Sequence, residues 1–127
     1  MSNLAREGPA GVMAGAESWA GKFVTFSDGT QAVPIGVVPS GYYYYTDASI
    51  PTAYNAGYAT MGISGSLASL MASTVLIAGA TGTKSQNAST AVAHALATQD
   101  TTIYVDSKPG AATAGAILAR VRYYRLG

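Results

Sequence analysis

The clearest pattern of apolar and polar positions is a pair of short β-forming runs early in the chain. Residues 22–26 read KFVTF and residues 31–38 read QAVPIGVV, with the turn sequence SDGT between them. β-Branched and aromatic residues favour strands, and Asp28-Gly29 supplies the chemistry of a tight turn, so the pattern predicts a β-hairpin. Pro34 removes one donor from the strand ladder, which predicts an edge position or a break in the second strand.

Four consecutive tyrosines, Tyr42, Tyr43, Tyr44 and Tyr45, then break the alternation that is typical of a half-buried strand. Successive side chains of a strand point to opposite faces, so two rings should lie on each side. One pair can face the core while another polypeptide covers the other pair. Alternatively, the strand belongs to a sandwich in which all four rings pack inward or lie along the surface.

Glycines at 57, 62 and 65 predict bent or bulged strands in the middle of the chain rather than a helix. The segment 91–98, AVAHALAT, is ambiguous, because alanine favours a helix while every second residue is larger, as in a strand packed on one face. A last strand is predicted from about Ala116 to Leu126.

Short strands with frequent turn signals predict a fold that is all-β, or nearly so, in the form of a small β-sandwich or β-barrel. We expect a single β domain over residues 22–127. Residues 1–21 are rich in Ala and Gly and follow no clean period, which predicts an extended N-terminal arm that is anchored by Trp19.

The amino-acid composition predicts a surface that is poor in charged residues. Charged residues make up only 10% of the 127 residues, against about a quarter in an average soluble chain. Such a surface indicates burial by partner subunits. The net charge of +1 is scattered, so we expect no nucleic-acid partner, and no apolar run is long enough to span a membrane. The absence of cysteine excludes disulfides and thiolate metal sites.

Residues that could carry a reaction are few and dispersed. His94 is the sole histidine and the six acidic residues form no close pair, so a structural or surface role is expected for His94. The glycine-rich stretch AGATGTK lacks the spacing of a phosphate-binding loop. We therefore expect no enzyme, no catalytic or metal-ligating residues and no cofactor.

The C-terminal stretch ARVRYYRLG places Arg120, Arg122 and Tyr124 on one face of the predicted strand. Val121, Tyr123 and Arg125 lie on the other. Guanidinium groups and rings together can form a docking surface for a partner. An ordinary terminal strand with a basic, solvated face explains the same pattern, and the sequence leaves both interpretations open.

The order of these pieces resembles the small head decoration (cement) proteins of tailed phages. The stretch AGAESWAGKFVTFSDGTQAVPIGVVPSG resembles their opening, with an AGADL-like lead-in at Ala14–Glu17 and a PIGVL-like strand at Pro34–Val38. GISGSLASLMA, AVAHALAT and AGAILARVRYY resemble their later strands, which favours a strand at 91–98. Residues 42–56 depart from the family pattern as an insertion or replacement.

The resemblance implies a non-enzymatic virion protein that is made in the host cytoplasm. Such proteins bind the outer surface of the capsid, commonly as trimers, and bridge neighbouring major capsid protein subunits. The expected subunit or capsid interface consists of Trp19, Tyr42, Tyr43, Tyr44, Tyr45, Arg120, Arg122 and Tyr124. The alternative is an adhesin-like β module that binds carbohydrate through exposed tyrosines.

Overall fold

The computed structural model describes residues 17–85 and 94–126 of the chain. Apart from one 3₁₀ turn at Phe26–Asp28, the regular structure in this part is entirely β. The nine strands are β1 (Glu17–Thr25), β2 (Gln31–Val38), β3 (Tyr43–Thr52), β4 (Tyr58–Ile63), β5 (Ser66–Ile77), β6 (Gly82–Ser85), β7 (Ala95–Leu96), β8 (Thr101–Lys108) and β9 (Ala116–Tyr124).

The strands form two sheets whose described pairings are all antiparallel. Sheet I has the order β1-β9-β3-β6, with β7 also paired to β3, and sheet II has the order β2-β8-β4-β5. Alternate residues of each sheet point into a shared apolar core. The most deeply buried of these side chains are those of Val24, Val38, Met61, Met71, Leu76, Ile103, Val105, Ile117 and Val121. The expected all-β sandwich is confirmed.

The predicted hairpin between the first two strands is wrong, because β1 and β2 lie in different sheets. β1 pairs with β9, whereas β2 pairs with β8. The turn itself forms where expected, with the Asp28 carboxylate accepting the Thr25 backbone N–H at 2.8 Å and Gly29 at a φ of 78°. The chain thus uses hairpin-like turn chemistry to cross from one sheet to the other.

The predictions for proline and glycine positions agree with the strand ladders. Pro34 lies on the edge strand β2, and the register with β8 shifts between Pro34 and Gly36. β4 and β5 form a hairpin closed by Ser64-Gly65, in which Gly65 has a φ of 81°. Their register shifts on both sides of Met61, as expected for bulged strands.

Some strand boundaries differ from the sequence prediction. β1 begins at Glu17, so residues 17–21 of the expected arm belong to sheet I, and residues 1–16 lie outside the described residues. Within the ambiguous segment 91–98, Ala95–Leu96 form the short strand β7, while residues 91–93 are outside the described part. The final strand starts at Ala116, as predicted, and ends at Tyr124.

Candidate interaction surface

The surface that collects most of the predicted interface residues is the outer face of sheet I, the face turned away from the core. Its composition follows from the register, which aligns Trp19 with Arg122 and Arg122 with Tyr45 across three neighbouring strands. The side chains of this outer face are Glu17, Trp19 and Phe23 on β1, Leu118, Arg120, Arg122 and Tyr124 on β9, and Tyr43, Tyr45, Asp47 and Ser49 on β3.

The tyrosine run divides between the two faces of the sheet. Tyr44 is only 6% exposed and belongs to the core. Tyr42 packs against the same core and meets the ring of Tyr123 edge-on, with centroids 5.8 Å apart. Tyr43 and Tyr45 lie on the outer face. Of the expected interface residues, Tyr44 is thus buried in the core and Tyr42 lies on the core side, because the strand register directs the even-numbered rings inward.

An ionic network fixes the centre of the outer face. Asp47 accepts hydrogen bonds from Nε of Arg120 at 2.6 Å and from Nε of Arg122 at 2.8 Å, and Arg120 also donates to Ser49 Oγ at 2.7 Å. The hydrogen bond to Asp47 raises the pKa of Arg122 above its ordinary value. Asp47 therefore holds both guanidinium groups in place and balances one of their two positive charges.

An aromatic cluster, formed by Tyr43, Tyr45, His94 and Tyr124, lies beside this network. Tyr43 stacks on Tyr124 with centroids 5.9 Å apart, and the His94 ring stacks on Tyr45 at 4.3 Å. A hydrogen bond of 2.7 Å joins His94 Nδ1 and the Tyr124 hydroxyl. Each ring is therefore held in one orientation by a neighbouring strand or loop.

Tyr45 is further tied to the edge of the sheet, since its hydroxyl donates to a carboxylate oxygen of Glu17. Burial, followed by this hydrogen bond and the charge of Glu17, raises the pKa of Tyr45 to about 12. Sequence reasoning predicted only a structural or surface role for His94. Its place in the aromatic cluster depends on contacts with β3 and β9, which no local pattern in its own segment reveals.

The remaining part of the outer face is apolar and exposed. Trp19 and Phe23 are 58% and 56% exposed, and Phe23 lies opposite Leu118 on the neighbouring strand. A shallow cleft of about 350 Å³ opens there, bounded also by Pro51 and Thr83. Phe23 was not among the predicted interface residues. The signal that identifies it is its spacing of four residues from Trp19, which places both rings on one face of a strand.

The outer face of sheet I therefore presents aromatic rings, an apolar cleft and an ion-paired centre. These features are suited to binding another molecule. Within residues 17–85 and 94–126, no group of three or more His, Cys, Asp or Glu side chains is arranged to hold a metal ion. The same residues include no helix long and apolar enough to cross a membrane.

No protein-family model matches this sequence, and no curated protein matches it. Solved structures do. A chain of the cyanophage Pam1 capsid asymmetric unit has a TM-score of 0.66 at 19% identity, covering 98% of this chain and 94% of that chain. A chain of the acidic stable capsid structure of Helicobacter pylori bacteriophage KHP30 has a TM-score of 0.67 at 10% identity, covering 88% and 90%. Two chains from phage capsid structures share this fold.

Proposed function

We propose that this protein is a structural component of a phage capsid and, more specifically, a decoration (cement) protein. It binds the outer surface of the head and bridges neighbouring major capsid protein subunits. The observation that carries this proposal is the outer face of sheet I, with its fixed aromatic cluster and exposed apolar rings. The shared fold with two chains from phage capsid structures supports it, as does the sequence resemblance to cement proteins.

The outer face has the residue types that dominate protein–protein binding energy. Trp, Tyr and Arg are the side chains most enriched among interface hot spots. Trp19 and Phe23 are both more than half exposed and lie on the same face of one strand. Such a grouping of exposed apolar side chains is typical of an interaction site, whereas single exposed apolar residues are common on any surface. This part of the molecule is therefore the best candidate for the capsid-binding surface.

The geometry of the aromatic cluster favours tight binding because the rings are already ordered. Tyr43 and Tyr45 are each stacked on another ring, and Tyr45 is also hydrogen-bonded to Glu17. Binding then costs little further side-chain entropy, which otherwise amounts to about 0.5–1.5 kcal/mol for each immobilised side chain. The proposed capsid surface would therefore bind rings that already have their bound orientation.

We further propose that the protein is a homo-oligomer, most simply a trimer, as the resemblance implies. Only 10% of the residues in the sequence are charged. A surface that is poor in charge is well suited to contacts between subunits. The proposed partners are the major capsid protein and further copies of this chain. The N-terminal residues that precede β1 are proposed as an additional capsid contact.

The carbohydrate-binding alternative is less well supported by the arrangement of the rings. Sugar stacking requires open aromatic faces. The ring of His94 covers one face of Tyr45, and Tyr43 and Tyr124 stack so that each covers one face of the other. A glycan array separates the two functions, because a cement protein should give no specific glycan signal.

Co-sedimentation with undecorated capsids tests the proposal directly. We expect the parent protein to pellet with capsids at a fixed stoichiometry, and the double variant Tyr43→Ser/Tyr45→Ser to lose most of this binding. The matched control is Tyr58→Ser/Tyr104→Ser, which removes two partly exposed rings from the outer side of sheet II. Failure of the parent to bind capsids would refute the proposed function, and equal losses in both variants would refute the assignment of the surface.

A further inference from the structure

β1 is an exposed edge of sheet I with an unusually regular backbone. Its nine residues pair with β9 without interruption, from Glu17 opposite Tyr124 to Thr25 opposite Ala116. Within the described residues β1 has β9 as its one strand partner, so the N–H and C=O groups on its other side have no ladder partner there. A regular edge of this kind is a template for another strand.

The other sheet edges carry features that hinder strand addition. β2 contains Pro34 and a register shift, the described part of β6 has four residues, and β5 shifts register twice against β4. β1 contains no proline and no bulge. Its two charged side chains are Glu17, at its first position, and Lys22, which points away from the outer face. Among these edges, β1 is the least protected against pairing.

The outer face of β1 carries one aromatic ring on each side of its central glycine. Trp19 and Phe23 are placed symmetrically about Gly21, two residues away on either side. We propose that β1 pairs antiparallel with β1 of a second copy of this chain, around a two-fold axis at Gly21. Trp19 of each copy then lies directly opposite Phe23 of the other, so both exposed rings of each copy gain a cross-strand aromatic partner.

The surroundings of Gly21 fit this register. A Cβ at this position would lie 3.1 Å from the Trp19 ring and 2.9 Å from the Ala119 carbonyl oxygen, so the indole leans over the glycine. Two such glycines at the axis leave space that the two indoles fill, a known way for aromatic rings to cover a glycine in a sheet. Centring on Ala20 instead would place Phe23 opposite Glu17 and Trp19 opposite Gly21, leaving the rings unpaired with each other.

This inference goes beyond the proposed function, because it names a second copy of the chain as the partner of the β1 edge. The contact is small, so the free protein should pair weakly. On a capsid, neighbouring copies are held at high effective concentration, and the same contact becomes favourable. A two-fold contact of this kind can join two oligomers and does not depend on their internal symmetry.

Because the chain contains no cysteine, only introduced cysteines can form disulfides in a crosslinking test. The single variants Ala20→Cys and Lys22→Cys are mixed at high concentration without capsids and oxidised gently. In the proposed register these two positions lie directly opposite each other, so the mixed disulfide should form at least about tenfold faster than the background of random collisions. That background is given by Lys22→Cys mixed with Val37→Cys, which lies on β2 and is 52% exposed.

A mixed disulfide that forms no faster than this background would overturn the proposal, and so would preferential self-crosslinking of Ala20→Cys, which indicates the other register. Adding Trp19→Lys and Phe23→Lys to both cysteine variants should slow crosslinking about tenfold, because two aromatic pairs are lost. Circular dichroism verifies that these variants fold. Since no capsid is present, this result is independent of whether the protein binds one.

Discussion

The division of the tyrosine run between two faces predicts that two similar double substitutions will have different consequences. Tyr42→Ser/Tyr44→Ser removes rings from the core side, and Tyr43→Ser/Tyr45→Ser removes rings from the outer face. Tyr44 lies in the core, and its exposed fraction is only 6%. Truncating an aromatic ring in such a position costs about 3–5 kcal/mol, and the half-buried Tyr42 adds about 1–2 kcal/mol.

The outer pair should be much less costly to remove. Its loss breaks two ring stacks and the hydrogen bond from Tyr45 to Glu17, each contributing about 0.5–1.5 kcal/mol, for a total of about 1.5–4.5 kcal/mol. Small domains have only about 5–15 kcal/mol of stability, so the core-side variant should be largely unfolded or close to it, while the outer-face variant remains folded.

Guanidinium chloride denaturation followed by circular dichroism measures these differences, with the slope of the transition checked for two-state behaviour. Tyr44→Phe is the control, because it keeps the ring and removes a hydroxyl for which the described residues show no hydrogen bond; it should change the free energy of unfolding by less than about 1 kcal/mol. Equal destabilisation by the two double substitutions would refute the assignment of the faces.

Three further outcomes can be measured by the same denaturation experiments. Asp47→Ala should lower the free energy of unfolding by about 2–3 kcal/mol, because two partly buried guanidinium groups lose their shared carboxylate, whereas Asp47→Asn should cost less. Gly115→Ala should cost about 2–4 kcal/mol, because a methyl group there would overlap the ring of Tyr54 and the φ of 147° disfavours other residues. Stability should fall as the pH rises from about 10 toward 12, where the unfolded state loses the Tyr45 proton before the folded state does; below pH 10 both states keep it. Tyr45→Phe should weaken that decline, and an unchanged slope would contradict the raised pKa.

The positions of many strands could be predicted from the sequence because they depend on local signals. QAVPIGVV forms β2 over its whole length, and the last strand begins at Ala116 as expected. Strand partners could not be predicted in the same way. A turn such as Asp28-Gly29 suits both a hairpin and a crossing between sheets. The choice depends on pairing with β8 and β9, which lie more than 60 residues away along the chain.

The candidate site was only partly predictable for the same reason. The alternation along β9 placed Arg120, Arg122 and Tyr124 on one face correctly, because that rule is local. The inward direction of Tyr44 depends on where β3 begins after the turn, and one residue of shift would reverse it. The strand at 17–21 was missed because Ala and Gly have weak β propensity, and pairing with β9 holds this segment in the sheet.

The pairing of charges on the outer face limits what can drive binding there. Glu17 and Asp47 balance Arg120 and Arg122 in formal charge, and Asp47 holds both guanidinium groups. Long-range attraction to a charged partner surface therefore has little to act on, and the ionic network serves mainly to fix the neighbouring side chains. The rings and the apolar cleft remain as the source of binding energy, through loss of their water-exposed area. A partner that fits this face, including the proposed capsid surface, must accordingly offer apolar pockets of matching shape.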